Sequence, residues 1–137
     1  MRRYWLLLAA AFTGCREPAP AASRLFPEMV AGVWRRTAVR ETAISDAPDP
    51  VSRSGVDRVE AASYEGPGKL EARVYELESP EVGLDLAQRW RPSADTVFFN
   101  QGRFFVVIKW QEAERKALAQ FVRDFENRLK GAGGAGE

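Results

Sequence analysis

The chain contains no histidine and only one cysteine, Cys15. Without histidine there is no Ser-His-Asp or Cys-His nucleophile system and no imidazole metal site. A lone cysteine closes no intramolecular disulfide, whatever the compartment. Neither sign of charge is in excess: the formal net charge is +1, and losing Arg2 and Arg3 with residues 1–14 makes it −1. That balance leaves no electrostatic footprint for nucleic acid. Long apolar runs are missing too. The longest, Tyr4 to Phe12, falls well short of the roughly twenty residues that span a bilayer. Glycine clusters only in Gly66-Pro67-Gly68 and in the last seven residues, and neither place has phosphate-loop spacing between a strand and a helix.

What is present begins with a leader. Arg2 and Arg3 precede the apolar run, and Thr13-Gly14-Cys15 follows it. This arrangement resembles a bacterial lipoprotein signal, with a small residue ahead of the cysteine. It departs from that pattern at Phe12, where the family usually carries leucine. The resemblance implies that residues 1–14 are a signal peptide, cleaved before Cys15. Acyl chains would sit on the Cys15 sulfur and on its new amino group, making the membrane a partner. The alternative is ordinary secretion, with cleavage after the small-x-small sequence Ala19-Pro20-Ala21, leaving a soluble periplasmic or secreted protein. Residues 15–24 carry no apolar periodicity and read as the lipidated cysteine and its tether. The nine residues after Cys15 reach at most about 30 Å, which would hold the domain close to the membrane. Arg16 stands where an aspartate would mark inner-membrane retention, so the periplasmic face of the outer membrane is the expected address.

Residues 25–130 read as one α+β domain and residues 131–137 as a disordered tail. Leu25 to Arg36 has the spacing of a short amphipathic helix, with Phe26, Met29, Val30, Val33 and Trp34 on one side. Thr37 to Ile44 is a weak strand, and Ser45 to Gly55 is a loop. Val56 to Tyr64 and Leu70 to Leu77 frame the turn at Glu65-Gly66-Pro67-Gly68 as a hairpin. Ser79-Pro80 opens a helix, with Ser79 as capping hydroxyl and Val82, Leu86 and Trp90 on one face, ending at Arg91-Pro92. Thr96 to Phe99 and Arg103 to Trp110 form a second hairpin around Asn100-Gln101-Gly102. A final helix carries the stripe Leu118, Phe121, Val122, Phe125 and Leu129, predicted to pack on the Phe104/Ile108 face, with Glu112 and Glu114 at its start and Gly131 as its stop. The order hairpin, helix, hairpin, helix predicts an antiparallel sheet of four or more strands with the helices on one face, a small α/β sandwich.

Several stretches of this domain also resemble an uncharacterised bacterial envelope family known only as a domain of unknown function. They are Phe26-Pro27 with Trp34, Tyr64-Glu65-Gly66, Val74-Tyr75-Glu76-Leu77-Glu78-Ser79, Gln88-Arg89-Trp90 and Gly102-Arg103-Phe104-Phe105-Val106. The resemblance implies an envelope address and no activity.

Chemistry is sparse. Glu76 and Glu78 are the nearest approach to a paired acid/base site, and Asp46 and Asp49 the nearest to a calcium loop. A solvated strand edge and a plain turn account for them, so no catalytic, cofactor or metal residue is assigned. Phe105 and Val107 make the last strand apolar on its second face, which marks them as the candidate apolar binding face. The expected function is a lipid-anchored, non-catalytic interaction module with an envelope protein partner. The alternative is a small-ligand or lipid-binding domain.

Overall fold

The computed structural model describes residues 25–47, 51, 55–91 and 93–134. Two ten-residue strands rich in β-branched and small residues, β3 (Val56–Glu65) and β4 (Gly68–Leu77), pair antiparallel through the Gly66-Pro67 turn. Gly68 can only be glycine. A Cβ there would lie 1.6 Å from the carbonyl oxygen of Glu112 on the neighbouring strand. β5 (Thr96–Gln101) and β6 (Phe104–Ala113) form the second hairpin, and β6 docks against β4. The loop between them is shorter than expected. Asn100 and Gln101 stay in the strand, and Gly102 carries the positive φ of +57° at the first position of a two-residue turn.

The amino-terminal segment corrects the expected helix. Met29–Val30 is a short strand β1, and Trp34–Thr42 is strand β2. Ala31 and Gly32, at φ 53° and 72°, turn the chain between them. Phe26, Val30 and Trp34 imitate helical spacing because a loop residue and two strand residues, four apart, converge on the same core; Met29 and Val33 are exposed. β2 alternates poorly because it is largely solvent-facing, and its pairing with β3 holds it in place.

The sheet therefore has six antiparallel strands in the order β1-β2-β3-β4-β6-β5. The β1–β2 ribbon is an extra hairpin ahead of the expected hairpin-helix-hairpin-helix order. The helices are α1 (Pro80–Arg89) and α2 (Arg115–Gly134), and they pack on opposite faces of the sheet. That corrects the one-face expectation. Side chains of β4 alternate: Leu70, Ala72 and Val74 face α2, while Tyr75 and Leu77 lie on the opposite face under α1.

α2 lies against Val106 and Ile108 as its stripe predicts, and it touches both edge strands, β1 and β5, so the sheet curls around it. Its core is an aromatic chain. Phe26 stacks on Phe125 and Phe125 on Phe121, each at 5.7 Å. Trp34 and Tyr64 meet Phe121 edge-on at 5.8 and 5.0 Å. The polar tips of these rings are satisfied: Trp34 Nε1 donates to the Ala117 carbonyl and the Tyr64 hydroxyl to that of Pro27. Burial of each such ring contributes about 1.5–3 kcal/mol. α2 starts at Arg115, so Glu112 and Glu114 lie ahead of its first turn, and it runs past Gly131. Gly131 costs about 1 kcal/mol relative to alanine, which the helix already propagated through more than four upstream turns tolerates.

On the other face, Leu86 of α1 is fully buried and packs with Val82, Ala87 and Trp90 over Tyr75, Leu77 and Phe105. Pro80 takes the first helical position as expected, but the Ser79 hydroxyl makes no capping bond. Among the described residues no helix is long and apolar enough to cross a membrane.

Candidate functional site: a charged groove beside Trp90

α1 has ten residues and reaches about 15 Å, whereas the ten-residue strands beneath it reach about 33 Å. It therefore covers one half of its face and leaves the other to water. The uncovered half is polar. Strand register places Arg40, Ala61, Arg73 and Val107 in one row across the sheet, and Ala38, Ser63, Glu71, Lys109 and Thr96 in the next.

The β4, β6 and β5 members of these rows, Glu71, Arg73, Val107, Lys109 and Thr96, floor a half-open groove of about 310 Å³, walled at one end by the half-buried ring of Trp90. Trp90 is fixed from behind by Phe105 at 5.3 Å and Phe98 at 6.3 Å. Glu71 Oε1 accepts from both Arg73 Nε at 2.8 Å and Arg40 Nη2 at 3.2 Å. The hydrogen bond to Glu71 raises the affinity of Arg73 for its proton. Burial pushes the Tyr75 phenol upward, so it stays neutral at the groove base. Lys109 is exposed and has no ion-pair partner among the described residues. The Ser93 and Thr96 hydroxyls bond each other at 2.8 Å on the rim. A second depression of about 320 Å³ runs on toward Glu65 and Lys69, sharing Glu71 and Lys109 with the first. Together they form a furrow of alternating charge ending at an aromatic wall, suited to hydrogen bonding and ion pairing with an extended partner.

Of the candidate apolar face, Phe105 is fully buried under α1, and Val107, 9 % exposed, reaches the groove floor. Glu76 and Glu78 do not share a strand face. Glu76 is in β4 on the α2 side, while Glu78 lies beyond the strand end, its amide bonded to the Gly55 carbonyl. Asp46 closes a short 3₁₀ turn, and Asp49 lies outside the described residues. Cys15, the leader and the tether also lie outside them. Among the described residues no three acidic or cysteine side chains are placed to hold a metal ion.

One ionisable group escaped the sequence reading. Glu60 is 2 % exposed on the α2 face, with Oε1 3.4 Å from Arg58 Nη1 and no partner for Oε2 among the described residues. Burial chiefly holds its carboxyl above the ordinary value. Arg58 opposes that shift, while Glu76 and Glu41 add to it. Counting back by twos from Tyr64 through Ala62 identifies the residue: the apolar face of β3 continues onto Glu60. It lines neither depression. Glu71, Arg73 and Lys109 were legible in the same way, as the polar alternates of β4 and β6.

Comparison of the chain with protein-family models, with curated proteins and with solved structures finds no match in any of the three.

Proposed function

We propose that this chain is a lipid-anchored lipoprotein of the bacterial cell envelope whose domain is a non-catalytic interaction module. It docks an envelope protein along the charged groove beside Trp90. The observation that carries this reading is the division of the α1 face. α1 covers the apolar half, and the half left open presents Arg40, Glu71, Arg73 and Lys109 with an aromatic wall. Charged and aromatic groups arranged in this way give specificity and steer encounter more than they drive tight burial. The groove side chains are committed to one another: Glu71 is held by two guanidinium groups and Tyr75 is neutral. That suits recognition better than proton transfer. The leader and Cys15 supply the anchor, on the periplasmic face of the outer membrane.

The ligand-binding alternative has one observation in its favour. The groove volume lies at the lower end of small-molecule sites. Its lipid-binding form is disfavoured, because the groove is half-open and charged rather than an apolar cavity between sheet and helix.

The test is affinity isolation from the native envelope in mild detergent, comparing wild type with Lys109→Glu and Trp90→Ala. A partner held by wild type, released by moderate salt and lost from both variants supports the module. Equal recovery with all three chains removes the groove from the function.

A further inference from the structure

The sheet ends differently at its two edges. β1 is only two residues long, and beyond it the edge is β2, which carries Arg36, Arg40 and Glu41 and a bulge between Arg36 and Ala38, all protections against unwanted pairing. β5 is six residues, Thr-Val-Phe-Phe-Asn-Gln, with no charge, no proline and every residue half-exposed. Natural edge strands are usually blunted by lysine, proline or a bulge, and this one has none of them.

The phase of its hydrogen bonding follows from one contact. The Trp110 amide donates to the Asp95 carbonyl at 3.0 Å, so Val97 and Phe99 exchange their bonds with Ile108 and Val106. The amides and carbonyls of Thr96, Phe98 and Asn100 therefore point outward. Among the described residues no other backbone hydrogen bond reaches them.

We infer that this edge is a self-association surface. Two copies join β5 to β5 antiparallel about a two-fold axis centred on Phe98. The sequence is self-complementary in that register. Thr96 faces Asn100 of the second copy, Phe98 faces itself, and Val97 faces Phe99. Polar residues meet polar ones, apolar meet apolar, and no charge opposes a like charge. Each of the outward pairs, Thr96 with Asn100 and Phe98 with Phe98, exchanges both its main-chain bonds. The two six-stranded sheets become one, in the isologous geometry that most homodimers use. The inference does not depend on the envelope reading, because the edge lies outside the groove except at Thr96.

The experiment uses the full chain in mild detergent, with native mass spectrometry across a dilution series and residue-resolved amide exchange. The expected result is a dimer that dissociates on dilution, with the Thr96, Phe98 and Asn100 amides exchanging more slowly as concentration rises. Asn100→Pro removes an outward-facing amide at a position outside the groove, so it leaves the far-UV circular dichroism unchanged and weakens the dimer about tenfold. A monomer at every concentration up to about 100 µM, or a dimer whose three outward amides exchange at a concentration-independent rate, overturns the inference.

Discussion

Glu60→Gln is expected to stabilise this protein at neutral pH, although it removes a charged residue from an ion pair. The wild-type carboxylate is 2 % exposed, one of its oxygens has no partner among the described residues, and its bond to Arg58 is long at 3.4 Å. Arg58 is itself 41 % exposed and shared with Glu41 at 3.7 Å, so its compensation is that of a surface pair, about 0–1 kcal/mol. A buried, unsatisfied polar group costs about 1–3 kcal/mol, more when charged. Glutamine keeps the shape, loses the charge and offers its amide to Glu41 or Glu76. The net expectation is a gain of about 1 kcal/mol at pH 7, roughly 4 °C in Tm for a domain of this size.

The sign of the pH dependence follows from the raised carboxyl. The folded state holds the Glu60 proton more tightly than the unfolded state. This contribution is therefore fully present below the unfolded pKa and is lost as pH rises through the folded one. The advantage of Glu60→Gln should thus appear between mildly acidic and neutral pH and vanish near pH 4. Urea unfolding of both proteins at the two pH values measures it. A destabilised variant at pH 7, or a difference that does not change with pH, would refute the reasoning and make the Arg58–Glu60 pair a net stabiliser.

Other perturbations have equally definite outcomes. Gly68→Ala places a methyl against the immovable Glu112 carbonyl and should cost about 3 kcal/mol or more by thermal unfolding. Gly102→Ala, which meets open space, should cost only about 1–2 kcal/mol for its left-handed φ. Ala31→Gly should stabilise by about 0.5–1 kcal/mol, relieving a φ of 53° at some cost in chain entropy. Phe121→Ala removes the ring that joins Trp34, Tyr64 and Phe125, and should cost about 3–5 kcal/mol in denaturant titration.

How much of this was readable from the chain depended on whether the signal was local. The long helix and both later hairpins announce themselves through the 118–129 stripe, the turn glycines and the aromatic strands, because each pattern is complete within a few residues. Leu25 to Arg36 misled because helical periodicity records only which residues are buried. Phe26, Val30 and Trp34 are buried by α2, an element some ninety residues away in sequence. The placement of α1 was hidden for a related reason. A doubly apolar strand such as β6 announces that something covers its second face, without naming the cover. The groove follows from the short reach of α1 over long strands, and it took the register to show that Glu71, Arg73 and Lys109 stand together there.

The most direct test of the central claim is native mass spectrometry of the protein extracted from its own envelope in mild detergent. The expected mass is that of a chain beginning at an acylated Cys15, with an envelope protein bound to wild type and lost from Lys109→Glu. A chain beginning at Ala22 without lipid, or an anchored chain whose partner ignores that substitution, would contradict the claim.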